Sequence, residues 1–299
     1  MKTNYIILYL LLIGCNEIDK EQPFEGIANT PTVLDWGNIS TNEFHESVNY
    51  ISEDGSILYF TRSNKGFETS TLYSAQFVNG KWEAAKKMPF SGSYYDAGLH
   101  FTSNENRAFF TSKRNPNKPN LSEAWNIWSI SKRQDGSWGE PDIIPPPINS
   151  TGMECCLTMN KKGETFFSSD RDGSWDIYQA TYRDNKFINV KKLNQNVNSK
   201  NGEWPSYINE KGDLLLISSI RKTGLGGDDV YLINKENGDW GKPILLDTTI
   251  NSSAYEDSPI LSHNGKYFLF SSWKNTENSE KLSNIYCIES EAVLKNVLN

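Results

Sequence analysis

Five copies of a unit of roughly 50 residues, each reading as four short strands, predict an all-β chain: a five-bladed β-propeller of four-stranded antiparallel blades, closed by an N-terminal strand. Three observations carry this. An apolar anchor recurs along the chain. A polar turn precedes every anchor. Almost no stretch shows the 3.6-residue apolar period of a helix, the tail near 290–298 being the one exception.

The anchors are Phe60, Phe110, Phe167, Ile217 and Phe270, spaced 50, 57, 50 and 53 residues apart. Small hydroxyl residues follow each: Thr61, Thr111-Ser112, Ser168-Ser169, Ser218-Ser219 and Ser271-Ser272. Four residues after the anchor stands a cation in four copies, Arg114, Arg171, Arg221 and Lys274; the first copy has Asn64 there and Arg62 two residues earlier. The turns before the anchors are Glu53-Asp54-Gly55, Asn104-Glu105-Asn106, Lys161-Lys162-Gly163, Glu210-Lys211-Gly212 and His263-Asn264-Gly265. Gly or Asn in each supplies the positive φ that a tight hairpin needs.

A polar loop then leads to an apolar–aromatic pair: Leu72-Tyr73, Ile127-Trp128, Ile177-Tyr178, Val230-Tyr231 and Ile285-Tyr286. A further turn reaches Trp82, Trp138 or Trp240, with Phe187 in the third copy. A four-stranded sheet cannot bury both faces alone. Stacking such sheets around an axis buries them and leaves only short edges. The longest spacing leaves room for a sixth, degenerate blade between residues 110 and 155. The fifth copy lacks its outermost strand, and Asp35-Trp36-Gly37 mirrors Asp239-Trp240-Gly241. Residues near 33–40 are therefore expected to complete the last blade.

This pattern resembles the TolB-like, WD-repeat-like propeller repeats of bacterial envelope proteins, whose signature reads roughly S-x-D-G-x-x-x-x-F-x-S-x-R, a gap, then D-I-Y. The third copy carries Phe167-Ser168-Ser169-Asp170-Arg171 and Asp176-Ile177-Tyr178, the fourth Ile217-Ser218-Ser219-Ile220-Arg221 and Asp229-Val230-Tyr231, and the first Ser52-Glu53-Asp54-Gly55. The resemblance spans about residues 46–290 and implies protein partners in the envelope.

The first residues read as an address. Lys2 precedes nine apolar residues, Tyr5 to Ile13. That run is too short to span a bilayer, which takes about 20 residues, and it suits the apolar region of a signal peptide. It ends in Leu12-Ile13-Gly14-Cys15, which resembles the lipobox of bacterial lipoproteins. The resemblance implies lipid attachment at Cys15 and an outer-membrane anchor, with the domain facing the periplasm or the surface. Residues 1–14 are then the signal peptide, 15–31 a flexible tether rich in acids, and 32–299 the propeller. Removing residues 1–14 takes away Lys2 alone, so the net charge of -7 becomes -8. Neither this charge nor any Lys/Arg cluster suits a nucleic-acid partner.

Thirteen or fourteen residues before the anchors stand Glu46, Asp96, Glu154, Glu203 and Glu256, with Asp257 beside the last. Each opens the strand expected to be innermost, so the five acids are candidates for a ligand site on the axis. A ring of like charges shifts pKa values or attracts a cation, so a divalent cation, a cationic ligand or a polyol is a conceivable occupant; no cofactor is predicted. The structural alternative is that the acids cap a neighbouring blade or pair with the recurring cations. Tyr94, Tyr95, Trp125, Trp175, Trp204, Tyr255 and Trp273 fall near loops or strand starts, where aromatic faces stack on sugars or peptides.

Two function classes follow. The first is a non-enzymatic binding or scaffold propeller for an envelope protein, peptide or glycan. The alternative is a carbohydrate-active hydrolase using Glu154, Glu203 and Glu256 at the central channel, although acids so regular lack the different environments that an acid and a base need. Cys155 and Cys156 suit either a strained vicinal disulfide or two small buried side chains. There is no CxxC, HExxH or GxSxG motif. The Gly-rich Gly224 to Asp229 segment has no helix after it to cradle a phosphate.

Overall fold

The computed structural model describes residues 23–27, 29–115, 124–274 and 282–295. They form five antiparallel sheets, and the region from 110 to 155 holds the outer strands of the second blade rather than a sheet of its own. The inner strands are His45–Ile51, Asp96–Phe101, Glu154–Met159, Glu203–Ile208 and Glu256–Leu261. The second strands are Ile57–Ser63, Arg107–Ser112, Glu164–Ser169, Leu214–Ser219 and Tyr267–Ser272. A third strand and an outer one complete each blade, the outer one consisting of two-residue pieces except in blade 3, where it is Lys186–Lys192.

The core is five layers, one per blade interface. The second strands separate their side chains with period two. In blade 4, Leu215 and Ile217 pack with Phe166 and Ile177 of blade 3, while Leu214 and Leu216 pack with Phe268 and Phe270 of blade 5. All five anchors are fully buried. Each pairs across to the aromatic of its own unit: Phe60 with Tyr73, Phe110 with Trp128, Phe167 with Tyr178, Ile217 with Tyr231 and Phe270 with Tyr286.

The chain closes on itself as expected, through different residues. Thr32–Val33 pairs antiparallel with Cys287 and Tyr286 on the third strand of blade 5. This is the place that Ile244–Leu245 occupies on blade 4, against Leu232 and Tyr231. Asp35-Trp36-Gly37 is a turn instead, with φ of 43° at Asp35 and 87° at Gly37. Trp36 is 52% exposed, where Trp240 is 4% exposed. The two triplets share turn chemistry, not position.

Ordered contact begins within the segment expected as a tether. Phe24 is buried and lies 5.9 Å from the ring of Trp82 and 5.2 Å from that of Tyr267, joining blade 1 to blade 5. Cys15 and residues 1–14 lie outside the described residues. The tail carries one helical turn, Ser290–Leu294, with Val293 buried.

Candidate functional site: the axial cavity

Glu46, Asp96, Glu154, Glu203 and Glu256 are brought to one end of the propeller, each wholly buried. Glu203 shows the pattern. It accepts from the backbone N–H and Oγ of Ser199, from Ser219 Oγ and from Arg221, which lies 2.9 Å away. Glu154 and Glu256 repeat this with Ser150 and Ser169, and with Ser252 and Ser272. Arg171 pairs with Glu154 at 3.3 Å and Arg114 with Asp96 at 3.0 Å. In blade 1, Arg62 reaches Glu46 at 3.5 Å from its displaced position.

The cations also clasp the loop ahead of the inner strand, bonding the carbonyls of Asn38, Phe90, Ile148, Val197 and Ile250 in turn. Arg171 lies over Tyr178 at 4.7 Å and Arg62 over Tyr73 at 4.8 Å. In blades 3 and 4 the acid, the hydroxyl, the cation and the aromatic of the unit are thus one cluster. Burial pushes Glu46 up to about 7, and raises Asp96 and Glu203, against the pull of these donors.

That loop carries a signal the anchor-based reading passed over. Ile148-Asn149-Ser150, Val197-Asn198-Ser199 and Ile250-Asn251-Ser252 each precede a glutamate by four residues. The Asn side chain bonds both the N–H and the C=O of the apolar residue opening the third strand, Ile127, Ile177 or Val230. It splices the loop to the sheet where no outer strand continues.

Side chains alternate along a strand, so the residue after each acid faces the axis. Ser47, Ala97, Cys155, Trp204 and Asp257 all line a cavity of about 250 Å³, to which all five inner strands contribute; none of the five repeat acids lines it. Its wall carries hydroxyls (Ser47, Thr61, Ser63, Thr111, Ser206, Ser218, Ser258) and the rings of Phe67, Tyr95, Trp125 and Trp204. Three of the aromatics marked in the sequence therefore face it, while Tyr94 lies 5.1 Å from Arg114 instead. Tyr255 and Trp273 stack 4.8 Å apart, and Trp273 lies 4.6 Å from His45. Towards the other end the axis narrows to about 60 Å³, bounded by Tyr50, His100 and His263. Burial lowers His100 to about 4, and its Nε2 lies 2.7 Å from the carbonyl oxygen of Met159.

Every inner strand has a register shift. Such bulges turn side chains away from strict alternation. At Cys156, φ is 58°. Both adjacent sulfurs reach the cavity wall, 3.2 Å apart, as free thiols. The bulges also tie neighbouring blades together. Val48 N–H donates to Ser271 Oγ, Gly98 N–H to Thr61 Oγ1 and Cys156 N–H to Thr111 Oγ1. Pro205 has no N–H to give, and there Ser168 Oγ donates to the carbonyl of Glu203.

The seam between blades 4 and 5 departs from this scheme. Ser218 holds the place of those hydroxyls, is 2% exposed, and its Oγ has no partner. Oδ1 of Asp228 and Oδ1 of Asp257, both on the cavity wall, are buried without a partner too, as is Trp125 Nε1. Asp228 stands immediately before its third strand, where blades 2 and 3 have Trp125 and Trp175; its carbonyl accepts from Glu256 N–H as theirs do from Glu154 and Glu203. The Gly-rich segment brings it there. A Cβ on Gly226 would lie 2.2 Å from the Ala254 carbonyl oxygen, and one on Gly227 2.3 Å from the Tyr255 ring, so only glycine lets this loop press on blade 5. Burial, then the charges of Asp257 and Asp229, pushes Asp228 up to about 7; burial, then Glu256, pushes Asp257 up to about 6. Among the described residues, no group of three or more His, Cys, Asp or Glu is gathered as a metal ion would need.

The fold is a five-bladed β-propeller with one asymmetric site on its axis. Its structural neighbours include an α-L-arabinofuranosidase from Lactobacillus brevis, 12% identical with a TM-score of 0.52, the match covering 90% of this chain and 94% of that one. An endo-arabinase from Bacteroides thetaiotaomicron is 13% identical with a TM-score of 0.51, over 83% of this chain and 94% of that one. TolB from Acinetobacter baumannii is 14% identical with a TM-score of 0.48, over 78% of this chain and 53% of that one, so this chain matches about half of that TolB's length. At these identities the likeness is one of fold. No protein-family model matches the sequence, and no curated protein does.

Proposed function

We propose that this protein is an envelope propeller, lipid-anchored at Cys15, that binds a segment of a glycan in its axial cavity. The observation that carries this is a set of cavity-lining residues that each keep a buried polar atom without a partner: Ser218 Oγ, Asp228 Oδ1, Asp257 Oδ1 and Trp125 Nε1. Buried polar groups are nearly always satisfied, and an exception calls for a missing partner. A sugar ring offers donors and acceptors to the hydroxyl-lined wall and a C–H face to the surrounding aromatics. The lipobox and the signal-peptide pattern support the address.

Thermal melting of the full chain with a panel of oligosaccharides tests the reading. A ligand of the native state raises the melting temperature by mass action, about 2.7 kcal/mol at a concentration a hundredfold above Kd. The shift is expected to vanish in Asp228→Asn/Asp257→Asn. A panel with no shift, together with specific capture of a protein or peptide partner, would replace the glycan by that partner.

One observation favours hydrolysis as a second reading. The proposed catalytic trio Glu154, Glu203 and Glu256 is held in three separate blade clusters, whereas Asp228 and Asp257 share the cavity wall, Asp257 with a hydrogen bond to Ser258, and burial pushes them up to about 7 and about 6. A glycosidase needs one carboxyl protonated and one ionised. Release of reducing ends by the wild type and not by Asp257→Asn would turn the binder into an enzyme.

A further inference from the structure

We propose that the glycan bound at the blade 4–5 seam carries a free amine, seated as an ammonium group against Asp228 and Asp257. The inference rests on the glycan reading and deepens it.

Buried carboxylates elsewhere in the molecule have an internal answer. Asp96, Glu154, Glu203 and Glu46 have an arginine, and Asp176 has Lys192 at 2.7 Å. Lys274 Nζ lies beside Glu256's loop, on the Ile250 carbonyl at 2.5 Å. Asp229 accepts from the backbone N–H of Leu225 and Gly226. Asp229 also keeps one oxygen unpaired but is not on the cavity wall; Asp228 and Asp257 line that wall, each with a buried unpaired oxygen, and among the described residues no Lys, Arg or His lines it with them. Two desolvated carboxyls on one cavity wall, with the charge of Asp257 acting on Asp228, are relieved by a cation supplied from outside. Ser218, 2% exposed with its Oγ unpartnered, adds a third acceptor to the same wall.

The surroundings choose the cation. An ammonium donates three hydrogen bonds and is attracted to aromatic faces; this cavity offers carboxylates, hydroxyls and four rings. Lys113 Nζ already lies 4.9 Å from the Tyr95 ring and 5.6 Å from that of Trp125, so the rim tolerates a cation on its aromatics. Among the described residues no third acid, thiol or imidazole is gathered with the two carboxyls closely enough to ligate a metal ion, which suits an organic cation better. The wall carries seven serine and threonine hydroxyls, Ser218 among them with its Oγ unpartnered, and a hydroxyl-bearing amino sugar can answer that group where the aliphatic stem of a lysine cannot.

Titration calorimetry on the full chain decides it, with tri-glucosamine, its fully N-acetylated counterpart, a lysine tripeptide, and Ca²⁺ or Zn²⁺ alone as probes. Tri-glucosamine is expected to bind about tenfold or more tighter than the acetylated trimer. That preference should disappear in Asp228→Asn/Asp257→Asn, which keeps shape and removes charge. If the acetylated trimer binds as well and the Asn variant is indifferent, the ammonium idea falls while the glycan reading stands. If neither sugar binds and the tripeptide does, both fall. A metal ion that binds at the pair and blocks the sugar overturns the organic cation.

Discussion

The two sets of acids at the mouth of this propeller invite comparison. Glu46, Asp96, Glu154, Glu203 and Glu256 recur in every unit, are wholly buried, and are surrounded by donors from their own blade and the loop before it. Asp228 and Asp257 occur at one seam, depart from the repeat at two different positions, and line the cavity with one buried, unpaired oxygen each. What recurs in a repeat protein solves the problem each unit shares, namely packing on its neighbour. What departs from the repeat has no such explanation, and here the departures meet.

The most drastic way to break the comparison is to remove the closure on which both sets depend. Deleting residues 32–42 takes away the pairing with Tyr286 and Cys287, the buried Leu34 and Ile39, and Thr41, which donates to Glu46. The domain should fail to fold, and a deletion mutant with an unchanged melting curve would refute closure by this segment.

Within the folded protein the two sets should respond with opposite signs. Glu203→Ala strands the Arg221 guanidinium and the Ser199 donors, and should cost about 3–5 kcal/mol by denaturant unfolding. Asp228→Asn should instead stabilise by about 1–2 kcal/mol at pH 8. The direction follows from linkage. A carboxyl raised to about 7 in the folded state binds more protons than its unfolded counterpart between roughly pH 4 and 7. Native stability is therefore full below that window and declines as pH rises through it. The wild type should lose this increment between roughly pH 4 and 7, and the Asn variant should not. An equal loss in both would mean that Asp228 is better solvated, or better paired, than its surroundings indicate.

The smallest effect sharpens a different contrast. Trp36→Ala should change stability by less than about 0.5 kcal/mol, as exposed substitutions do, whereas Trp240→Ala, which empties a buried site against Phe166, should cost about 3–5 kcal/mol. Equal costs would restore the equivalence of the two triplets that their sequences suggest.

Much of this fold is legible in the chain because a repeat writes each structural requirement five times. The anchors, the hairpin turns, the aromatic partners and the recurring acids all fall in register, and all emerge in matching places. The Asn-Ser pair four residues before three of the glutamates was equally legible, but becomes visible only when the copies are aligned on the acids rather than on the anchors. The site is harder to read for a physical reason. Aligning repeats displays what they share, and Asp228 is informative because it replaces a tryptophan. Its place on one cavity wall with Asp257 goes with the close approach of Gly226 and Gly227 to Ala254 and Tyr255 across a blade boundary, a tertiary event with no local signature. The closing strand was placed a few residues late because Asp-Trp-Gly encodes a turn, and turns recur for reasons of their own.

Phe24 gives the entry of the chain a mechanical meaning. A protein held by its N-terminus and pulled by a moving partner transmits that load inward along the chain. The first described residue to resist is Phe24, wedged between Trp82 and Tyr267; only after it come the two paired residues that close the ring. The wedge sits upstream of the clasp like a knot ahead of a seam, so tension on a tether would be borne by blades 1 and 5 together before it could begin to unzip the propeller.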